Sequence, residues 1–593
     1  MFSKNPLINL LKYSWHYSFG TKKWFVFFIV FSVIGNVVWI LQPIVIGRIF
    51  NTIQFSESSS QVSFIAYGAG LLIILNVVGW FFHGISRVIE NKNAFMVRKN
   101  YRQTMFEHVM DLPTTWHKDH HSGDTIDKVN KASDHLFTFA SELFVVIQNV
   151  VGLVASMVIL AIYDLKSIAV ALVSSLVAIV VILKFDKKML KNYKIIYKAE
   201  NFIASGVYDY ISNYVTIISL RLKQRATREI EKRSMKPFEI FIMNNKFNEL
   251  KWFLSSLIIS IMTSGVLVWN AYSSYKAQGV IIIGTLFVLF QYLSNIGQAF
   301  YTFAWKYSET VRQNAAIVAA ETIQVEYEKL HLEKKYGLPQ DWKVVQIKKL
   351  FFAYKENIDG KNKKYTLADV SVCLERGKKI ALIGTSGSGK STILSLLRGL
   401  HEAESVNVYC GGKKMQDGLK HLYDYSTLIP QEPEVFNDTI EYNITLGVQV
   451  DRKKITEVVR LANLSDLIAR LDKSLKTSVL EKGVSLSGGE KQRLALARGL
   501  LAAADSQILL LDEPTSSVDV ENELQIYQNI FQAFDNRVII SAVHSLHLLK
   551  YFDYVYMFKD SQVIAEGSFN MLLEDENFKT LWQNYDMERN SKK

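Results

Sequence analysis

The chain has 593 residues, of which 49% are hydrophobic and 12% aromatic, and its formal net charge is +12. That length predicts more than one domain, and two cysteines, Cys373 and Cys410, are too few for a disulfide framework or a cysteine-rich zinc site. A positive charge can indicate nucleic-acid binding, but here the Lys and Arg residues cluster beside long apolar runs, as in the cytoplasmic flanks of membrane helices. We therefore expect no nucleic-acid partner.

The N-terminal half is dominated by apolar runs. An amphipathic stretch, residues 4–22, predicts a helix at the membrane interface. Six runs without Asp, Glu, Lys or Arg follow, at 24–47, 64–85, 143–163, 168–183, 252–272 and 280–304. A spanning helix needs ~20 apolar residues, and a charge at the bilayer centre costs ~2.5–3.5 kcal/mol. Buried core helices of a large soluble protein are the alternative, but six such runs in one half favour spanning helices.

The loops between these runs predict an orientation. Segments 87–142 and 184–251 are long and basic, whereas the loop at 51–61 has no Lys or Arg. Basic loops face the cytoplasm, so we expect a multi-pass protein of the inner (plasma) membrane with its C-terminal half in the cytoplasm. Helix breakers near 112–113 and 122–124 predict a short cross-helix at the tip of the first long segment, and a similar tip is expected near 208–218.

A histidine-rich stretch lies at the first tip. His117, His120 and His121 surround Asp119 and could be interpreted as a metal site. Metal sites need a converging set of ligands, and a solvated loop is the simpler interpretation.

The composition changes after the last run. From residue 342 short strands rich in β-branched and aromatic residues begin to alternate with helices, which is typical of an α/β domain. We predict a membrane all-α domain with six spanning helices over 1–320, a linker over 321–341 and an α/β P-loop NTPase domain over 342–593.

The most informative stretch is residues 384–391, Gly-Thr-Ser-Gly-Ser-Gly-Lys-Ser. It follows a strand run at 379–383 and precedes a helical run at 392–400, the setting that distinguishes a P-loop from a chance match. Backbone N–H groups and the helix N-terminus would cradle phosphates. Lys390 would reach the β- and γ-phosphates of ATP, and Ser391 would ligate Mg²⁺. A plain Gly/Ser turn is the alternative, and the later motifs argue against it.

Two more strand runs end in candidate catalytic residues. The run at 507–511 is followed by Asp512 and Glu513, and the run at 537–543 by His544. Ligands bind at the carboxyl edge of parallel strands, so Asp512 is expected to hold Mg²⁺ and Glu513 to polarise the attacking water. A lone histidine is often structural, but at this edge His544 could contact the γ-phosphate.

Residues 486–490, which lie between the P-loop and these two strand runs, read Leu-Ser-Gly-Gly-Glu. A glycine turn capping a helix near Glu490 accounts for the local structure but not for the accompanying motifs. With them, the sequence resembles the ATP-binding cassette (ABC) transporters, whose signature motif this is. Six spans followed by one cassette resemble a half-size exporter of the type I (type IV) fold, and this resemblance covers nearly the whole chain.

The resemblance implies roles for individual residues. Tyr354 would stack on adenine, Gln431 would sense Mg²⁺ and the γ-phosphate, and Ser487 and Gly489 would bind ATP held by an opposite subunit. The catalytic set is Glu513, His544, Lys390 and Gln431. The nucleotide set is Tyr354, Gly384, Thr385, Ser386, Gly387, Ser388, Gly389, Lys390, Ser391, Thr392, Ser487 and Gly489. The metal set is Ser391, Gln431 and Asp512.

The resemblance extends to two other acidic residues. Glu481 would be the X-loop acid, and Asp519 the D-loop aspartate. Ser517, Val518 and Ser545 depart from the family's usual pattern near the D-loop and the histidine without removing a catalytic group.

The expected function is an ATP- and Mg²⁺-dependent exporter or flippase of a lipid or amphipathic compound, working by alternating access. Its partners would be a second half-transporter (the same chain or another), membrane lipid and the cargo. An importer on the exporter fold and an ATP-gated channel or regulator are the alternatives. Gln291, Asn295 and Gln298 share one helix face. That face could line a cavity or form interhelical hydrogen bonds.

Overall fold

The computed structural model describes residues 5–55, 60–120, 122–330, 336–354, 358–359, 362–479 and 486–591. The chain folds into two compact units. The first comprises Met1–Leu112 and His120–Leu330, and the second comprises Pro113–Asp119 and His331–Lys593.

The regular structure of the first unit is helical throughout its described residues. Its helices are α1 Pro6–Tyr17, α2 Lys22–Ile40, α3 Gln42–Phe55, α4 Ser60–Asp111, α6 Ser122–Ser141, α7 Leu143–Tyr163, α8 Leu165–Ser212, α9 Tyr214–Ser219, α10 Lys223–Met235, α11 Phe238–Gln278 and α12 Ile283–Lys329. Helix α5, Thr114–Asp119, belongs to the second unit. The helix predicted over 4–22 is therefore α1 together with the start of α2.

Five helical stretches are long and apolar enough to cross a membrane: Lys22–Phe55, Gln61–Asp111, Ser122–Tyr163, Leu165–Ser212 and Lys223–Gln278. They carry five of the predicted runs. The sixth run lies on α12, which falls outside this group. Its apolar residues are interspersed with polar ones, including Gln291, Asn295 and Gln298, which lowers its hydropathy.

Two local features refine the predicted helices. The first run is interrupted between α2 and α3, just before Pro43, because proline lacks the N–H that a continuous helix requires. The expected cross-helix at the first tip is α5, and at the second tip α9 begins after a break at Asn213.

The histidines of the first tip lie only partly within the described residues. Within the described residues, no group of three or more His, Cys, Asp or Glu side chains is suited to a metal ion. His117 lies on α5, and His121 lies outside the described residues.

The α6–α7 junction is held by charged side chains from other helices. Glu90 of α4 is fully buried and accepts a hydrogen bond from the Phe144 backbone N–H at 2.8 Å, at the start of α7. Arg87 donates to the Ser141 carbonyl at 2.8 Å and pairs with Glu90. On the other side, Lys306 of α12 pairs with Glu142 between the two helices. These contacts supply partners to helix ends that would otherwise be unsatisfied.

Helix α1 packs with a polar face inward. The Asn9 side-chain amide donates to Asn314 Oδ1 at 2.8 Å, and the Tyr13 hydroxyl donates to Glu321 at 2.7 Å. Both partners lie on α12. The outward side carries Trp15 and other apolar residues, as expected of a helix at a membrane interface.

The second unit is an α/β domain. Its strands are β1 Val344–Phe352, β2 Ile358–Asp359, β3 Asn362–Lys363, β4 Leu367–Glu375, β5 Lys379–Gly384, β6 Ser405–Cys410, β7 Lys413–Met415, β8 Ser426–Ile429, β9 Ile508–Asp512, β10 Val538–Ala542, β11 Tyr554–Lys559 and β12 Gln562–Gly567. Its remaining helices are α13 Lys390–Arg398, α14 Lys420–Tyr423, α15 Ile440–Thr445, α16 Arg452–Leu461, α17 Ser465–Arg470, α18 Gly488–Ala502, α19 Val520–Ala533, α20 Phe569–Leu572 and α21 Glu576–Ser591.

The strands form two main sheets and a small hairpin. The central sheet has the order β12-β11-β5-β10-β9-β8, with β8 to β11 and β5 mutually parallel where they pair. A second sheet, β4-β1-β6-β7, packs with it around a buried core that includes Leu382 and Ile347. Strands β2 and β3 pair with each other in antiparallel orientation. The parallel order brings the carboxyl ends of β5, β9 and β10 to one edge of the central sheet.

Candidate functional site

The P-loop joins β5 to α13. Gly384 and Gly389 have positive φ angles of 143° and 110°. A Cβ on Gly384 would lie 2.1 Å from the Phe558 carbonyl oxygen, and one on Gly389 would lie 2.5 Å from a methyl of Leu367. Both positions therefore require glycine. The loop ends where α13 begins, at Lys390.

Lys390 turns back over the loop. Its Nζ donates to the carbonyl oxygens of Gly384 at 2.8 Å and Thr385 at 3.1 Å. Burial lowers the pKa of the Lys390 ammonium, although the carboxylates of Glu513 and Asp512 counteract this shift. Because its present partners are neutral carbonyls, the buried ammonium can exchange them for an anionic ligand.

Acidic residues follow β9. Asp512 is the last residue of that strand, and its Oδ1 accepts a hydrogen bond from the Ser391 hydroxyl at 2.9 Å. Burial raises the pKa of the Asp512 carboxyl, and the hydrogen bond from Ser391 opposes the rise. Glu513 is 8% exposed and has a positive φ of 48°. The turn directs its carboxylate toward the side chains that follow β8 and β10.

Two side chains hold the Glu513 carboxylate. The Gln431 amide donates to Glu513 Oε2 at 2.8 Å, and His544 Nε2 lies 2.6 Å from Glu513 Oε1. Gln431 comes shortly after β8, and His544 shortly after β10. Three strands of the parallel sheet therefore bring these groups together. The positions of Glu513 and His544 after strands predicted their meeting, whereas Gln431 was assigned only from the family resemblance.

The sequence did not indicate the role of Gln492. This residue lies on α18 and is 3% exposed. Its amide donates to the Glu513 carbonyl at 3.1 Å and to the Ser516 hydroxyl at 2.9 Å, and its Oε1 accepts from the Ser517 N–H at 2.8 Å. Gln492 thus connects α18, which begins within the Leu-Ser-Gly-Gly-Glu motif, with the turn that carries Glu513. The only sequence signal was a glutamine shortly after that motif.

Tyr354 belongs to an aromatic group that the sequence also did not reveal. Its ring lies 5.3 Å from that of His401, edge to face, and 4.9 Å from that of Phe352. Its hydroxyl lies 3.4 Å from the Thr392 hydroxyl, next to the P-loop. Tyr354 is therefore beside the phosphate-binding loop, as an adenine-stacking residue would need to be.

Ser487 and Gly489 form the N-terminus of α18. The Ser487 side chain accepts from the Glu490 N–H, and the Glu490 side chain accepts from the Ser487 N–H, which is a capping box. A Cβ on Gly489 would lie 2.8 Å from the Ser517 carbonyl oxygen. The motif caps a helix, as the alternative interpretation held. The assigned role of Glu481 falls outside the described residues.

The remaining nucleotide-binding candidates lie as predicted in the P-loop and its helix. Thr385, Ser386 and Gly387 are exposed at the tip of the loop, whereas Ser388 and Thr392 are buried. Asp519 caps α19 by accepting the Asn522 N–H at 3.0 Å.

Comparisons with known proteins agree with this architecture. The family model "ABC transporter transmembrane region" matches residues 25–300, and the model "ABC transporter" matches residues 367–516. A lipid A-core flippase described as ATP-dependent, from Vibrio vulnificus (strain CMCP6), is 26% identical over 515 residues, covering 83% of this chain and 84% of the relative. ABC transporter B family member 6 of Dictyostelium discoideum is 26% identical over 556 residues, covering 90% and 79%.

A solved structure gives the same fold. A bacterial Atm1-family ABC exporter with ATP bound matches with a TM-score of 0.79 at 20% identity, covering 95% of this chain and 99% of that one. This chain therefore belongs to the ABC transporter family, as a half-size, multi-pass membrane transporter that has the exporter fold and whose ATPase domain couples ATP hydrolysis to transport.

Proposed function

We propose that two copies of this chain form an exporter or flippase that moves a lipid or amphipathic compound across the inner (plasma) membrane by alternating access. The ATPase domains would lie in the cytoplasm. The observation that carries this proposal is the convergence of Lys390, Asp512, Glu513 and His544 in a chain that also has its own membrane-spanning helices.

Glu513 is the general base of this proposal. Gln431 and His544 hold its two oxygens, so the carboxylate has a fixed orientation before ATP arrives. A positioned base of this kind contributes ~10²–10⁴-fold to a reaction rate. The His544 side chain is 57% exposed, which leaves it accessible to a γ-phosphate. Lys390 would exchange its carbonyl partners for the phosphate oxygens, where its charge is better stabilised.

The site also fits Mg²⁺. The Ser391 and Asp512 side-chain oxygens are 2.9 Å apart, beside the P-loop. Mg²⁺ prefers oxygen ligands, and it commonly combines one or two protein groups with substrate phosphates. We therefore assign Ser391, Asp512 and Gln431 as the residues that would hold it. When bound, the ion would neutralise charge on the β- and γ-phosphates.

The composition of the site supports a dimer of identical chains, although a second, different half-transporter is the alternative partner. One chain carries the P-loop, Glu513 and His544 for one nucleotide, together with Ser487 and Gly489, which the family places on the partner's nucleotide. Because each ATP site would combine residues of two subunits, two copies could form two complete sites. A monomer would be inactive.

The charges of the transmembrane unit suggest the kind of cargo. Near the cytoplasmic ends of the predicted spans, Arg87 pairs with Glu90, Lys251 with Asp186, and Lys306 with Glu142 and Glu309. These cations are neutralised within the protein. A strongly anionic headgroup would have to compete with these carboxylates, which favours a cargo of low net charge. The curated relatives named as lipid A-core flippases support a lipid or lipid-like molecule.

The ATPase activity of the purified chain in lipid nanodiscs tests this proposal. We expect activity from the chain alone, and stimulation by at least one class of lipid or amphipathic compound in a panel matched for chain length. The active species should be a dimer, as detected by cross-linking. A well-folded chain that hydrolyses ATP only after a different half-transporter is added would contradict the homodimer. Activity that no amphiphile alters would contradict the cargo assignment.

A further inference from the structure

We infer that Lys118 of α5 is a positioning residue for the nucleotide, because its ammonium holds the ring of Tyr354 in place to stack on the adenine of ATP. This inference rests on the proposed function and on the assignment of Tyr354 as the adenine-stacking residue. Helix α5, Thr114–Asp119, lies far from Tyr354 in the sequence, but it belongs to the same compact unit. The adenine side of the site is therefore built from two distant segments of the chain.

Tyr354 needs support from side chains because it lies beyond the strand that leads to it. Strand β1 ends at Phe352, which is also its last residue paired with β4. The Tyr354 ring lies edge to face with the rings of Phe352 and His401, at 4.9 and 5.3 Å between ring centres. Its hydroxyl lies 3.4 Å from the hydroxyl of Thr392. The direction of the ring is therefore set by its neighbours rather than by a sheet.

Lys118 adds a charged contact to this ring. Its Nζ lies over the Tyr354 ring, 5.3 Å from the ring centre. Ring faces attract ammonium groups within ~6 Å of the centre. With the ammonium on one face of the ring, adenine would stack on the other face. The ring would then be held before the nucleotide arrives, which lowers the cost of ordering it on binding.

Helix α5 is itself fixed beside Tyr354 by a second contact. The Thr114 hydroxyl donates to the carbonyl oxygen of Leu400, the residue before His401. Thr114 and Lys118 are four residues apart, so they share one face of the helix. That face therefore contacts the segment after α13 through its first turn and Tyr354 through its last. Lys118 is exposed, but the helix that carries it has a defined position.

The charge state of His401 is compatible with a cation at this place. Burial lowers the pKa of the His401 imidazole, and the nearby Lys118 ammonium lowers it further. Because the ordinary pKa of histidine is already ~6.5, the His401 ring is neutral at neutral pH. It therefore packs against Tyr354 without repelling Lys118.

The position of α5 in the chain gives this contact a wider meaning. Helix α4 ends at Asp111, just before α5, and α6 begins at Ser122, just after it. Both neighbouring helices belong to the stretches that are long and apolar enough to cross a membrane. The affinity for adenine would therefore depend on a residue whose neighbours in the chain lead into the transmembrane helices.

Calorimetric titration of the full chain in nanodiscs tests the inference. The titrants are ATP and inorganic triphosphate, which lacks a base, and Mg²⁺ is omitted to prevent hydrolysis. We expect Lys118→Met to weaken ATP by about two- to fivefold, the size of an exposed cation–π contact. Binding of triphosphate should be unchanged.

Two further variants are controls. Lys118→Arg should retain the affinity for ATP, because a guanidinium also binds ring faces. Lys414→Met removes an equal charge from an exposed position of β7 and should alter neither titrant.

Three results would overturn the inference: unaltered ATP binding in Lys118→Met, an equal loss of ATP and triphosphate, or tighter binding of ATP. An equal loss would indicate general attraction of phosphates, and tighter binding would indicate that Lys118 and adenine compete for one face of the ring. Tyr354→Leu tests the assignment beneath the inference and should weaken ATP but not triphosphate. If it changes neither, both the assignment and the inference fail. These readouts need no hydrolysis and no cargo, so they fail independently of the ATPase experiment.

Discussion

In the ATPase unit, Lys390, Asp512 and Glu513 lie close together beside an open loop, whereas in the transmembrane unit the buried charged side chains pair across helices. Lys251 of α11 pairs with Asp186 of α8, and Lys306 of α12 pairs with Glu142 at the α6–α7 junction and with Glu309 of its own helix. The first arrangement leaves donors and acceptors that a ligand can satisfy. The second satisfies them internally, with the single exception, among these described pairs, of the Asp186 oxygen.

Buried charged side chains therefore have two separate roles in this chain. Around the P-loop, the charged side chains can bind a polyanion. Where they pair between helices, they fix the positions of those helices, and breaking one pair leaves an uncompensated buried charge. Substitutions of charged residues should therefore change the turnover of ATP in the ATPase unit and the stability of the protein in the transmembrane unit.

The largest effect is expected from Glu513→Gln. The amide keeps the shape of the side chain but cannot accept a proton, so ATP hydrolysis should fall ~10²–10⁴-fold. ATP binding should persist, because the P-loop is unchanged. Phosphate release and binding of a fluorescent nucleotide measure the two quantities. Glu521→Gln, an exposed position on α19, is the control. Near-normal turnover in Glu513→Gln would refute its role as general base.

Lys306→Met should act on stability instead. Its side chain is 9% exposed, and it pairs with Glu142 and Glu309, which are 33% and 18% exposed. Removal of one partner from a fully buried ion pair costs ~3–5 kcal/mol, so we expect a loss below that range but above that of a surface pair. We expect a clear fall in the apparent Tm in detergent, measured at one heating rate. The matched variant Lys329→Met loses an exposed pair with Glu326 and should cost ~0–1 kcal/mol. Equal shifts in both variants would show that the Lys306 pairs are no more important than a surface pair.

Gln492→Leu sharpens the comparison inside the ATPase unit. The variant removes the hydrogen bonds to the Glu513 carbonyl, Ser516 and Ser517, so the turn that carries Glu513 should shift. Misplacement of a catalytic group by about 1 Å can cost ~10²-fold, and we expect a loss of about ten- to a hundredfold in kcat. Gln528→Leu, exposed on α19, is the control. An unchanged kcat would mean that Glu513 is positioned without Gln492.

Asp512→Asn should have the smallest effect of these variants. It should raise the stability of the protein rather than lower it. Burial raises the pKa of the Asp512 carboxyl, so at neutral pH its charged form is less favourable in the folded than in the unfolded protein. The variant should therefore have a slightly higher Tm without nucleotide. It should also lose ATPase activity.

The gain in Tm should shrink as the pH falls through the raised pKa, where the native carboxyl becomes protonated and loses the penalty. Melting curves at several pH values measure it, with Asp505→Asn, an exposed position, as the control. A lower Tm at neutral pH would contradict the assigned cost of burial.

The two units also differed in how far the sequence could predict them. In the ATPase unit, Lys390, Asp512 and His544 each follow a strand or loop that is recognisable locally, so their meeting at one sheet edge was predicted correctly. Gln492 and His401 were missed, because their contacts are with residues distant in the chain and their local sequence is ordinary for a helix and a turn.

In the transmembrane unit, apolar runs predicted helices, and Pro113 predicted the break before α5. The pairing of Lys306 with Glu142 could not be predicted, since helix spacing fixes which face a residue occupies but not which helix lies opposite. The break between α2 and α3 was missed although Pro43 marks it.

The polar inner face of α1 has a consequence for the timing of assembly. Tyr13 and its partner Glu321 are 308 residues apart in the chain, and Asn9 and Asn314 are 305 apart. At synthesis rates of ~5–20 residues per second, α12 is synthesised about 15 to 60 s after α1. During that interval only water and lipid headgroups can serve its amide and phenol groups. The outward Trp15 can keep the helix at the interface meanwhile, so α1 would pack against α12 long after α1 itself is made.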